Sequence, residues 1–134
     1  MRSIHIVLAA ALLASGCQIG ANAANFDVAR NPEGVMMRLT TSSGSIDGEL
    51  LDVRDNGIVV LQADGRVAFA PWTATSMVVA RNIRMPISYS RGQPPSADVR
   101  ATLILVSHFP HGMTADIEKR ILASRGQADM LVIR

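Results

Sequence analysis

The sequence predicts an α+β domain: a small five-stranded β unit with a helical hairpin packed on it, preceded by an export signal and a flexible tether. Three observations carry this prediction. Short β-rich runs separated by turn residues fill residues 35–81, the pattern of a small barrel or sandwich. Two segments with helical spacing and capping signals follow within residues 96–134, and residues 1–16 join a basic start to an apolar run that ends in small side chains. A length of 134 residues is one domain. A formal charge of +2 lacks the strongly basic field of nucleic-acid binders. One cysteine allows neither an internal disulfide nor a cysteine-based zinc site.

In residues 1–16, Arg2 precedes the apolar stretch from Ile4 to Ala14. That stretch is shorter than the roughly 20 residues that span a bilayer, so it reads as a signal peptide and not as a membrane helix. The string Leu13-Ala14-Ser15-Gly16-Cys17 resembles a bacterial lipobox, which implies lipidation at Cys17 and a mature chain that starts there. Leu13 stands one place upstream of the commonest form, with Ala14 where Leu is usual. Gln18 follows the cysteine, and by the same resemblance points to the outer membrane of a Gram-negative cell, facing the periplasm. The alternative is the A-x-A site Ala21-Asn22-Ala23, whose cleavage releases a soluble periplasmic or secreted protein starting at Ala24. Cleavage before Cys17 removes one of 13 basic side chains, Arg2, and none of the 11 acidic ones. The mature protein is then nearly neutral, and the expected contact with the membrane is the N-terminal lipid.

Residues 17–34 are rich in Ala, Asn and Gly, without alternation, and read as the tether. The β runs are Val35 to Thr41, Ser45 to Val53, Ile58 to Gln62, Arg66 to Ala70 and Ser76 to Ala80. Ser42-Ser43-Gly44, Asp55-Asn56-Gly57 and Ala63-Asp64-Gly65 separate the first four, with hairpin-type Asn-Gly and Asp-Gly pairs in the last two. Pro71 to Thr75 is long enough for a single 3₁₀ turn before the fifth run. Alternation points Val35, Met37, Leu39, Ile46, Gly48 and Leu50 inward, and Asp47, Glu49 and Leu51 outward. Leu50 and Val53 are three apart, so both face inward only if a bulge intervenes near Leu51-Asp52. Residues 82–95 carry Pro86, Gly92, Pro94 and Pro95, and form a linker. Ser96 starts a first helix with Val99, Leu103 and Val106 on one stripe. Thr114 starts a second, with Ile117 and Ile121 four apart and Arg125-Gly126 as its stop. Met130 to Ile133 is either a short strand or a frayed end.

Gly44, then Ile46-Asp47-Gly48-Glu49-Leu50, Val53, Ile58-Val59-Val60-Leu61 and Ser76-Met77-Val78-Val79 resemble in order and spacing the SH3-like barrel, and within it the Sm-like branch that includes bacterial RNA chaperones. The resemblance implies a five-stranded barrel with a bent second strand, and raises a nucleic-acid-binding ring as an alternative function. Two departures argue against that function. Arg54 stands where the Sm pattern expects Asp, and Pro71-Trp72-Thr73 stand where the chaperones carry Tyr-Lys-His. Single-strand readers stack bases on aromatic side chains in a basic groove, and the β region has only Phe69 and Trp72. No nucleic-acid partner is expected. Ser107 to Met113 is similar to a connector in uncharacterised exported bacterial proteins, a likeness that implies no activity.

Candidate chemistry is sparse. His108 and His111 are three apart, and imidazoles at that spacing reach one metal if the loop curls. A third ligand would have to be a carboxylate such as Asp116, so surface or capping roles are expected and a metal-dependent hydrolase is the lesser alternative. Asp47, Glu49, Asp52, Asp55 and Asp64 supply carboxylates for acid–base work, but most flank turns or alternate with apolar residues, as outward groups do. No nucleophile elbow and no phosphate-binding glycine pattern occurs. Neither a catalytic residue nor a cofactor is expected. Trp72 is read either as an exposed anchor for a protein partner, with Phe69 beside it, or as a plug in the end of the barrel. The function expected is that of an interaction or structural module in the cell envelope.

Overall fold

The computed structural model describes residues 34–80 and 87–134. The expected signal peptide, Cys17, Ala24, the expected tether up to residue 33 and the first part of the expected linker lie outside the described residues. The chain is α+β. Strands β1 (Met36–Thr41), β2 (Gly44–Arg54), β3 (Gly57–Gln62), β4 (Val67–Pro71) and β5 (Ser76–Ala80) come first. Helices α1 (Ala97–Val106) and α2 (Ala115–Ser124) and a two-residue strand β6 (Leu131–Val132) follow. The strands form one six-stranded sheet in the order β5-β1-β2-β3-β4-β6. It is mixed, because β6 runs parallel to β4 while the other neighbours are antiparallel.

The expected barrel is corrected to an open sheet. Among the described residues no pairing joins β4 or β6 back to β5. The outer edge of β4, which closure of a five-stranded barrel would need, is taken by the C-terminal strand. On β5, Met77 is bridged by Tyr89 from the linker.

Local chemistry accounts for the elements. Arg54 pairs with Gly57 across the two-residue turn Asp55-Asn56, and β3 turns into β4 where Gly65 N–H donates to Gln62 O at 2.9 Å. The break before β5 is a single turn, closed by Ala74 N–H and Thr75 N–H donating to Pro71 O at 3.1 and 3.2 Å. The register of β2 against β3 slips between Leu50 and Asp52, where the phase argument requires a bulge. Leu50 and Val53 both reach the same core as a result. Gly48 lets β2 approach β3 closely: a Cβ there would lie 2.4 Å from Val60 Cγ1 and 2.6 Å from Leu61 O. Both helix starts are as expected. Ser96 Oγ accepts from Val99 N–H and Thr114 Oγ1 from Ile117 N–H. Arg125 caps the end of α2, with Gly126 behind it.

The sheet is apolar on both faces, and the core is double. One cluster joins Met37, Leu39, Leu50, Ile58, Val60, Ala68 and Ala70 to Trp72, Tyr89 and Leu103 of α1. The other joins Leu51, Val59 and Val67 to Ile121 and Leu122 of α2. Successive strand residues point to opposite faces, so α1 and α2 cover opposite sides of the sheet. The two expected helices are both present and pack on the sheet, one on each face. A sheet with two apolar faces needs a layer on each, and the connector between the helices crosses the sheet to supply it.

Candidate functional site

A buried polar junction lies where that connector meets β2. Beyond Glu49, β2 runs past the end of β1, and the edge that β1 leaves uncovered is taken by the connector. His108 N–H donates to Leu50 O and Phe109 N–H to Leu51 O, both at 2.9 Å. Leu50 N–H donates to Val35 O at 3.0 Å, and Val35 N–H to Val106 O at 2.9 Å. The first described residues are thereby locked between the sheet and the last turn of α1.

His108 and Glu49 meet inside this junction. His108 Nδ1 lies 2.7 Å from Glu49 Oε1, with the two side chains 4% and 2% exposed. Gly34 N–H donates to the same carboxylate oxygen at 2.8 Å. The imidazole also packs on Phe109, ring centres 4.4 Å apart. A Cβ on Gly34 would fall 2.2 Å from Leu50 O, so only glycine fits the point where the N-terminal segment joins the fold. A carboxylate that orients an imidazole is half of a catalytic arrangement. Catalysis also requires reach to a substrate, and both of these side chains are sealed beneath backbone and Phe109. The arrangement bolts three chain segments together, from residues 34, 49 and 108.

The other predicted residues are dispersed. His111 is exposed whereas the side chain of His108 is buried against Glu49. Among the described residues no three His, Cys, Asp or Glu side chains converge as metal ligands would. The expectation that Glu49 and its neighbours face solvent is corrected for Glu49 and Asp52, which are 2% and 5% exposed. Both lie on a face covered by the connector and α2. Asp52 and Glu118 flank Arg54, at 3.3 and 2.6 Å, which ties β2 to α2. Asp55 accepts from Arg100 at 2.9 Å, a tie from the β2–β3 turn to α1. Asp47 pairs with Arg38 across β1 and β2 through two bonds of 2.7 and 2.8 Å, and Asp64 pairs with Arg66 within its turn.

Trp72 is a core residue on the α1 side of the open sheet and not an exposed anchor. It is 3% exposed, its Nε1–H donates to Asp55 O at 2.9 Å, and its ring meets Tyr89 edge to face at 5.0 Å. Phe69 is half-buried on the α2 side and packs with Leu51, Val59 and Ile121, so the two rings lie on opposite faces of the sheet. No common aromatic platform is formed. A shallow groove of about 420 Å³ runs along α2, lined by Ala115, Glu118, Lys119, Leu122, Gln127 and Asp129. It contains neither histidine of the connector.

Sequence reasoning missed the Glu49–His108 pair because the partners are 59 residues apart. One signal was present: Leu51 shares the supposedly outward face with Glu49, and a large apolar side chain there indicates cover. No helix among the described residues is long and apolar enough to cross a membrane. Compared with family models, curated proteins and solved structures, the chain finds no significant match.

Proposed function

We propose that the protein is a non-catalytic module of the cell envelope, lipid-anchored at Cys17 in the outer membrane and facing the periplasm, where it binds or braces another protein. The observation that carries this reading is the N-terminal sequence, in which Arg2 and the apolar run from Ile4 end at Leu13-Ala14-Ser15-Gly16-Cys17. The fold is consistent with an anchored role. Gly34 is fixed by Glu49 beside the end of α1, so a tether from Cys17 would pull on one reinforced point. Arg54–Glu118 and Arg100–Asp55 join the sheet to its helices, and Glu49–His108 joins it to the connector.

The five-strand order β5-β1-β2-β3-β4, the bulge in β2 and the one-turn break before β5 support reading the sheet as an opened relative of the SH3-like barrel, with an added strand at one end. Fold of this kind carries no function by itself. A surface left for a protein partner is the exposed side of α1, where Leu105 is 77% exposed.

The test is fractionation with intact mass. The protein should be recovered from membranes with a mass that starts at Cys17 and includes acyl chains, and Cys17→Ser should move it to the soluble envelope fraction. Membrane fractionation unchanged by the substitution, or a mass that starts at Ala24, would overturn the anchor.

A further inference from the structure

The outer edge of β4 is covered by a short C-terminal segment in an unusual way. Val67 N–H donates to Gln127 Oε1 at 2.7 Å, and Gln127 Nε2 donates back to Val67 O at 3.1 Å. The carboxamide thus offers β4 the acceptor and donor that a peptide group of a neighbouring strand would offer. Gln127 is held for this by its own N–H, which donates to Leu122 O at 2.9 Å. β6 continues the cover, pairing Leu131 with Ala68 and Val132 with Phe69, and Ile133 N–H donates to Phe69 O at 2.9 Å.

The cover is held by few groups. Leu131 and Val132 are 38% and 59% exposed, and of the strand's neighbours Ile133 is buried. Beneath it lies Val-Ala-Phe-Ala-Pro, a strand without a charge. Uncharged apolar edges are templates for pairing with another chain, and proteins suppress this by covering them. The opposite end of the sheet shows the same treatment: Met77 and Tyr89 exchange two backbone bonds of 3.1 Å.

We propose that Gln127–Arg134 is an edge guard, and that the β4 edge beneath it pairs with a second copy of this chain when the guard is removed. A second copy is the fitting occupant because an edge-to-edge pair about a two-fold axis uses the same strand from each partner and needs no other complementary surface. The inference is independent of the lipid anchor.

The purified protein and a variant ended at Gly126 are compared by light scattering across concentration, with and without an excess of a peptide of residues 127–134. The parent should be a single copy. The shortened chain should reach the mass of two or more copies as concentration rises, and the peptide should return it to one. A folded shortened chain that stays a single copy overturns the proposal, as does self-association that the peptide does not reverse, or a parent that associates as strongly. If the shortened chain loses its cooperative melting, Gln127→Ala in the full chain decides. Hydrogen exchange at the Val67 amide should then accelerate by at least about tenfold with a rise in mass at high concentration, and unchanged exchange and mass overturn the proposal.

Discussion

Tyr89 and Trp72 are the one tyrosine and the one tryptophan in the chain, and each is satisfied where it is buried. Trp72 Nε1–H finds Asp55 O, while Tyr89 OH lies 3.0 Å from the buried hydroxyl of Thr75. Burial disfavours the phenolate, and against the smaller opposing effect of the Thr75 hydrogen bond it pushes the Tyr89 hydroxyl up to about 12. In the unfolded chain the same group titrates near its usual value of about 10. The folded form therefore holds its proton more tightly, and Tyr89 stabilises the fold fully below about pH 10. That stabilisation, about 2–3 kcal/mol, is lost as pH rises from about 10 to about 12. With one tyrosine, the phenolate absorbance reports this group alone. Its midpoint in the folded protein should lie near 12, and a midpoint of about 10 would show a solvated ring.

At the scale of elements, the determining feature is the bulge in β2. It brings Leu50 and Val53 to the same face of the sheet, and the carbonyls of Leu50 and Leu51 beside it take the N–H groups of His108 and Phe109. Glu49 completes the docking by accepting from Gly34 N–H while facing His108 Nδ1. Glu49→Ala removes this shared buried acceptor, and should cost about 2–4 kcal/mol in chemical denaturation. Glu49→Gln keeps an acceptor oxygen and should retain more of the stability. An unchanged denaturation midpoint for the alanine variant would show that the connector docks through its backbone alone. The bulge itself was legible, because Leu50 and Val53 break the two-residue alternation within one short run. The helix starts at Ser96 and Thr114 were legible for the same local reason, as capping depends on a few adjacent residues. The partner of Glu49 was not. Nothing within several residues of it specifies a histidine 59 positions later.

The whole molecule is a sheet between two helices, one on each face, with Leu103 and Ile121 as the most deeply buried residue of each. Ile121→Ala would open a cavity against Leu51, Val59 and Val67, and should cost about 2–5 kcal/mol. Leu105→Ala, at a position 77% exposed, should stay within about 0.5 kcal/mol. Equal losses at the two positions, read from urea denaturation, would contradict the placement of α2 over the sheet. The sequence by itself determined the α+β class, the five strands and two helices, their caps and the bulge. These follow from periodicity and from side chains acting on their own backbone. The functional proposal rests on the N-terminal string that ends at Cys17, read from the sequence alone. Only the tertiary structure decided that the sheet stays open, that its second face is covered by α2, that Glu49 and His108 meet, and that the last residues form a strand beside β4. Each of these joins segments remote in sequence, and pairing across such distances is set by which apolar faces and backbone edges still need cover once the local elements have formed.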